Sequence, residues 1–226
     1  MSDKKDINSV FQKLKKLNIS AKCNENISDF LTEDEINLIY ENVKDKFNEI
    51  LKILIIDTEN DHNTKDTAKR VAKMFVYEIF KGRYFPKPEI TSFPNILTYD
   101  EIYITGPITI RSTCAHHWMP IIGKCYIGIF PGSEVIGLSK FNRLIDWVCS
   151  RPQIQEEMTI QIADELEKVT KAEGIAVILK ATHTCLTHRG YREHENLMIT
   201  SVMRGKFRED PNLKNEFFSL LEKYKD

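Results

Sequence analysis

The chain has 226 residues, 42% hydrophobic and 29% charged, so it holds enough apolar content to bury a core and is no disordered segment. Its 32 Lys and Arg against 33 Asp and Glu give a formal net charge of -1, without the basic excess of a nucleic-acid-binding domain. No apolar run is long enough to span a membrane, and Met1–Asp6 lacks the apolar core of a secretory signal. A reducing cytoplasm is therefore expected, with the five cysteines as free thiols or metal ligands.

Residues 1–30 are polar, with a weak apolar pattern at Val10, Phe11, Leu14 and Leu17, and read as a flexible or loosely held arm. Residues 31–90 read as a helical part. Thr32 and Glu35 form a capping box, after which Ile36, Ile39, Tyr40, Val43, Phe47, Ile50, Leu51 and Leu54 recur at helical spacing. Residues 57–64 break that pattern. A second helix is expected over about 66–81, with Ala68, Val71, Ala72, Phe75 and Ile79 on one face and Gly82 as its stop. Pro86 and Pro88 mark the change to residues 91–226, where strands are expected over 102–111, 124–130, 135–136, 175–183 and 197–203. Two helices lie between the strand pairs. One starts at Ser139 as N-cap and runs to about 149, and the other spans about 153–172, ending at Gly174. Asp210-Pro211 opens a final helix. The fold class is α+β.

Cys114-Ala115-His116-His117 and His183-Thr184-Cys185 concentrate residues that are uncommon elsewhere in the chain. Thiolate and imidazole are the preferred ligands of zinc. Cys114 and His117 are three apart and suit one face of a helical turn, and Cys185 comes from the end of a distant strand. Three protein ligands leave a fourth position open, as in catalytic zinc sites. Adjacent side chains point apart, so His116 is better placed as an acid or base beside the metal. The plain alternative is buried free thiols with surface histidines. Cys23, Cys125 and Cys149 read as bystanders. Lys140 and Arg143 sit after Ser139 at a helix start, where an anion such as phosphate is favoured, although such a pair is also an ordinary solvated face. Glu156 and Glu157 open the next helix. First-turn carboxylates suit the helix dipole, and a carboxylate can equally grip the N–H edge of guanine; spacing does not choose between these.

Several ordered segments resemble GTP cyclohydrolase I, the zinc enzyme of the tunnelling fold. They are Ser112–His117, Val135–Arg143, Arg151–Glu156, His183–Cys185 with Arg189-Gly190, Asp66–Met74 and Phe207–Pro211. The resemblance covers the chain from about residue 30 onward. It implies a tunnelling fold, an antiparallel sheet with two inserted helices, preceded by the helical N-terminal part. It implies one zinc per subunit on Cys114, His117 and Cys185, and proton transfer by His116 and His183. Glu156 would hold the guanine ring with Gln155 beside it, and Ser139 would act after ring opening. Lys140, Arg143, Arg189, Arg70 and Lys73 would contact the triphosphate. The implied reaction hydrolyses and rearranges GTP to 7,8-dihydroneopterin triphosphate and formate. The implied assembly is a homodecamer of two pentamers, with sites between subunits. The commonest form of the family has Glu where this chain has Ala115, which removes a potential hydrogen bond behind the ligands. No role is expected of His188 or His194. Two rivals share the resemblance: a non-catalytic zinc-stabilised assembly protein, which would not need His116, His183 and Glu156, and a tunnelling-fold nitrile reductase, which would not need the zinc set.

Overall fold

The computed structural model describes residues 6–190, 192–193 and 195–224, in two compact units, Met1–Pro86 and Lys87–Asp226.

The first unit is helical. Helix α1 (Ile7–Lys16) lies in the segment expected as an arm and buries Val10 and Leu14. Helix α2 (Glu33–Ile53) starts at the expected capping box, with Glu35 N–H donating to Thr32 Oγ1 (3.3 Å) and Thr32 N–H to Glu35 Oε2 (2.9 Å). The same Glu35 carboxylate accepts from Lys13 Nζ at 2.7 Å, which ties α1 to α2. Arg83 donates to the carbonyls of Ala21, Lys22 and Glu25 and anchors the chain that follows α1.

The helix expected over 66–81 differs. Helix α3 (Thr67–Lys73) widens into a π-helical segment, Met74–Ile79, and Phe80 ends it at φ -114°, ψ 15°. Gly82 is no stop, because it lies inside the short helix α4 (Lys81–Tyr84). The aromatic contacts supply a reason. Phe75 reaches both Phe47 (5.5 Å between ring centroids) and Phe80 (5.1 Å), and Tyr77 reaches both Tyr40 (5.7 Å) and Phe85 (5.9 Å). Such pairs contribute about 0.5–1.5 kcal/mol each beyond area burial, which offsets the irregular turn.

The second unit is built on β1 (Ser92–Pro94), β2 (Tyr103–Cys114), β3 (Pro120–Phe130), β4 (Glu134–Ile136), α5 (Leu138–Cys149), β5 (Pro152–Gln153), α6 (Gln155–Thr170), β6 (Gly174–His183), α7 (Thr184–Thr187), β7 (Met198–Gly205), α8 (Lys206–Glu209) and α9 (Pro211–Glu222). The main sheet has the order β5-β2-β3-β6-β7 and is antiparallel except for the β2–β5 pair; β1 and β4 pair separately. The arrangement is α+β, as the alternating periodicities predict.

Strand period decides which residues meet which layer. Ile175, Val177, Leu179 and Ala181 face the side where Phe141, Leu144, Ile145, Val148, Met158, Ile162 and Leu166 of α5 and α6 pack. Ala176 and Ile178 face the other side, against Phe207 and Phe217. Fully burying each large apolar side chain contributes roughly 1.5–3 kcal/mol, so these two layers fix the sheet.

Two helix boundaries differ from expectation. The N-cap of α5 is Gly137, in an extended conformation, so Ser139 stands inside the first turn. Helix α6 starts at Gln155 and ends where Lys171 turns left-handed (φ 48°). Gly174 instead begins β6, after Glu173 N–H bonds to the carbonyl of Phe130 (3.0 Å) and returns the chain to the sheet.

Candidate functional site

Register brings the chemistry together. Thr113 of β2 pairs with Pro120 of β3, Ile121 of β3 pairs with His183 of β6, and Cys114 of β2 pairs with Gln153 of β5. Cys114, the end of β6 and the start of α6 therefore share one end of the sheet. A donor atom from each of Cys114, His183 and Cys185 lies within 4.8 Å of the others. Cys114 is 4% exposed, and His183 and Cys185 are half-buried.

The donor chemistry fits zinc. With zinc–sulfur bonds near 2.3 Å, ligand atoms of a tetrahedral site stand about 3.5–3.8 Å apart, so little closure is required. Burial pushes the Cys185 thiol up, and the adjacent Cys114 pushes it further, against a smaller downward pull from Arg189. A bound cation would favour the Cys185 thiolate by neutralising its charge.

The third ligand of this geometric group is His183, whereas the spacing reading pairs the cysteines with His117. A single helical turn does close on Cys114, yet among the described residues His117 is not in the close donor group. Cys114 is the last residue of a strand, and the chain turns back through Trp118 at φ 54°. Cys114 N–H bonds to the Met119 carbonyl (2.8 Å) and Trp118 N–H to the Cys114 carbonyl (2.9 Å). His116 and His117 are both exposed on this turn, with His116 Nδ1 3.9 Å from Cys114 Sγ. Ala115 N–H bonds to the Gln153 carbonyl at 3.1 Å, which fastens the turn through backbone.

His183 has a defined partner. Its Nε2 lies 2.8 Å from Gln155 Oε1. Burial lowers its pKa, against an opposing pull from the Glu156 carboxylate. Gln155 is fully buried as the first residue of α6, and Glu156 beside it is exposed. The Gln155 amide nitrogen donates to the Met198 carbonyl (3.1 Å), to Thr200 Oγ1 (3.1 Å) and, more weakly, to the Leu179 carbonyl (3.4 Å). Thr159, one turn on, donates to the Gln155 carbonyl (2.7 Å) and lies 2.6 Å from Thr200 Oγ1. Thr159 and Thr200 escape sequence reading. The one signal is polar residues at i and i+4, Gln155 and Thr159, on a helix face otherwise made of Met158, Ile162, Ala163 and Leu166.

Within the second unit, the cationic residues of α5 stand apart from this cluster, whereas Arg189 lies near it. Lys140 and Arg143 lie in the first turns of α5, with Arg143 exposed. It is the far end of α5 that adjoins the cluster: Ser112 Oγ bonds to the Arg151 carbonyl (3.2 Å) just before β5. The helix rises about 1.5 Å per residue, so its first turn stands about 15 Å along the axis from that end. Ser139 is exposed there as well. Arg189 is exposed close enough to influence Cys185. Arg70 and Lys73 belong to the first unit, where they meet Asp66 (3.8 Å) and Glu78 (3.7 Å). Among the bystander cysteines, Cys125 and Cys149 are buried and Cys23 is exposed. His188 is exposed, and His194 lies outside the described residues.

Comparison with known proteins bears on this site. The profile of the GTP cyclohydrolase I family matches residues 43–222. The GTP cyclohydrolase 1 of Flavobacterium johnsoniae is 39% identical over 199 residues, covering 88% of this chain and 86% of its own. That of Haemophilus influenzae is 35% identical over 184 residues, covering 81% and 84%. That of Actinobacillus pleuropneumoniae is 38% identical over 175 residues, covering 77% and 80%. Among solved structures, the archaeosine synthase QueF-Like in its apo form aligns with 53% of this chain at 11% identity and a TM-score of 0.36, too low to bear on the fold. The matched span runs from within α2 to the end of α9 and includes every residue of the Cys114 cluster, so the chain belongs to the GTP cyclohydrolase I family.

Proposed function

We propose that this protein converts GTP and water to 7,8-dihydroneopterin triphosphate and formate, the entry to pterin and folate synthesis, on a tunnelling fold in the cytoplasm. The observation that carries the proposal is the convergence of Cys114, Cys185 and His183 at the sheet end that also carries Gln155 and Glu156, within a family-wide match.

Cys114, Cys185 and a histidine would hold the zinc. His117 is the third ligand on the motif reading, which leaves His183 and His116 to move protons. Zinc, when bound, supplies a Lewis acid that makes water nucleophilic near neutral pH. The Glu156 carboxylate accepts the N1–H and 2-amino hydrogens of guanine, and adenine, which lacks both, would leave that carboxylate unpaired. The ring of His183, held neutral by burial, accepts a proton on one nitrogen and returns it to the imidazole nitrogen of the substrate as the C8 bond opens. A second hydrolysis releases C8 as formate. Ser139 would act in the ribose rearrangement, and ring closure then returns one water. Lys140, Arg143, Arg189, Arg70 and Lys73 hold the triphosphate, which is not cleaved, so they position rather than activate.

The site is proposed to be complete only between subunits of a decamer of two pentamers. Two features support this. The first turn of α5 is distant from the Cys114 cluster of its own chain. Strand β7, and β2 over most of its length, carry one edge without a strand partner among the described residues, and long open edges are normally covered.

A second reading rests on the geometric group alone: His183 rather than His117 completes the zinc set. Zinc content and turnover of His117→Ala and His183→Ala separate the two. On the first reading His117→Ala loses zinc and His183→Ala keeps zinc but not turnover; the reverse pattern establishes the second. The function itself is tested by incubating the zinc-loaded protein with GTP and assaying oxidised pterin by fluorescence. Absence of pterin rejects it.

A further inference from the structure

We infer that Gln155 is a positioning residue that holds His183 in the tautomer with the proton on Nε2, leaving Nδ1 as the nitrogen that can react, and that its side chain is not a substrate contact. This rests on the proposed reaction for its functional meaning, though not for its geometry.

The orientation of an amide is settled by its neighbours. One end of the Gln155 side chain faces the Met198 carbonyl at 3.1 Å and the Leu179 carbonyl at 3.4 Å. Backbone carbonyls only accept, so this end is the NH2 group. The other end is then Oε1, which also only accepts, and it lies 2.8 Å from His183 Nε2. His183 must therefore donate from Nε2. In a neutral imidazole one nitrogen carries the proton, so the lone pair is on Nδ1. Reversing the amide would set its oxygen against the Met198 carbonyl, a repulsive contact in a fully buried site.

The amide is closed to a ligand by burial: its oxygen keeps one spare lone pair, but no part of the residue is open to solvent. Its two N–H bonds are taken by the Met198 carbonyl and Thr200 Oγ1, its oxygen by His183, and the residue is 0% exposed. Thr200 is itself steadied by Thr159 at 2.6 Å. Strand β7 thus sets the amide, and the amide sets the ring. Of Gln155 and Glu156, only Glu156 is open to solvent.

The direct test is the 15N spectrum of zinc-loaded full-length protein labelled at histidine, with His183 assigned by its loss in His183→Ala. A protonated Nε2 and a bare or metal-bound Nδ1 are expected. A protonated Nδ1 overturns the inference whether or not the protein turns over GTP. The kinetic test uses Gln155→Met, Thr200→Val and Thr200→Ser. Removing the orientation should lower kcat about 100-fold in Gln155→Met, with KM changed less than about threefold. Thr200→Val should lower kcat by about 3–10-fold, and Thr200→Ser, which keeps the oxygen, should restore it. A rise in KM at unchanged kcat would make Gln155 a substrate contact and overturn the inference. If Gln155→Met fails to fold, the Thr200 pair and the spectrum still decide. Wild-type protein that makes no pterin refutes the reaction, while the spectrum still decides the tautomer.

Discussion

Gly123 is where a single methyl should disable the site without touching it. It lies on β3 opposite Ala181 of β6, two residues from the Ile121–His183 pair that sets His183 beside Cys114. A Cβ at Gly123 would stand 2.0 Å from the Lys180 carbonyl oxygen and 2.6 Å from Ala181 Cα, whereas ordinary contact begins at 3.4 Å. Both obstacles are backbone or backbone-attached, so no side chain can swing away. The strands must part by about 1.4 Å, which stretches the neighbouring ladder bonds from about 2.9 Å to beyond any useful hydrogen-bond length. Overpacking of about 1–3 kcal/mol, with one or two lost bonds at about 1 kcal/mol each, gives roughly 2–5 kcal/mol for Gly123→Ala. For a chain of this size that corresponds to a fall in Tm of roughly 4–20 °C. Calorimetry measures the fall, and zinc titration should show weakened binding because the end of β6 shifts with its register. A Tm within about 2 °C of wild type together with unchanged zinc affinity would refute the claim that the sheet register builds the site.

Four further outcomes are expected. Cys185→Ser removes one of three ligands and should weaken zinc binding by roughly 1000-fold, taking an equal share of about 12 kcal/mol for a protein zinc site; metal analysis after chelator dialysis reads it, and retained zinc and turnover would contradict the assignment. Glu156→Gln should raise KM for GTP by 10-fold or more, since hydrogen bonds to a charged carboxylate contribute about 1.5–3 kcal/mol; unchanged KM would place guanine elsewhere. Cys185→Ser and Arg143→Ala, each inactive alone, should regain up to about one quarter of wild-type activity when refolded together, because mixed copies can pair an intact Cys185 with an intact Arg143 from a neighbour; no recovery would argue for a site within one chain. Burial pushes the Glu165 carboxyl up, but bonds from Lys168 (2.6 Å) and Lys87 (3.1 Å) outweigh it and hold its pKa below the ordinary value. A depressed carboxylate contributes stability that is complete above the unfolded pKa of about 4.3 and is lost as pH falls through the folded value. Glu165→Gln should therefore flatten the acid limb of the stability profile below about pH 5, by under about 1 kcal/mol because both lysines are partly exposed. An unaltered acid limb would contradict it.

The legible parts of this protein are those where one residue type has one dominant use. Cys114, Cys185 and their histidines stand out because thiols and imidazoles are scarce, and strand alternation places 175–183 in the sheet without help. The capping box at Thr32 and Glu35 is read correctly because both reciprocal bonds are local. Features that depend on distant partners are not legible. Ser139 looks like an N-cap, but the chain enters α5 two residues earlier through an extended Gly137. The π-helical segment after Lys73 is set by Phe47 and Tyr40 of α2. The Cys114–His117 spacing suggests a helical turn, and one turn does close where β2 ends at Cys114, but His117 is exposed on it and stands outside the close donor group. Gln155 reads as a polar residue at a helix start; its use depends on the carbonyls of β6 and β7 that tertiary folding brings to it.

The most direct measurement follows the C8 atom. Zinc-loaded protein is incubated with GTP carrying 13C at C8, and formate and pterin are quantified in the same sample. One labelled formate per pterin is expected, with the triphosphate intact, activity lost on chelation and restored by zinc. Release of phosphate without labelled formate, or turnover that survives complete removal of the metal, would contradict the account.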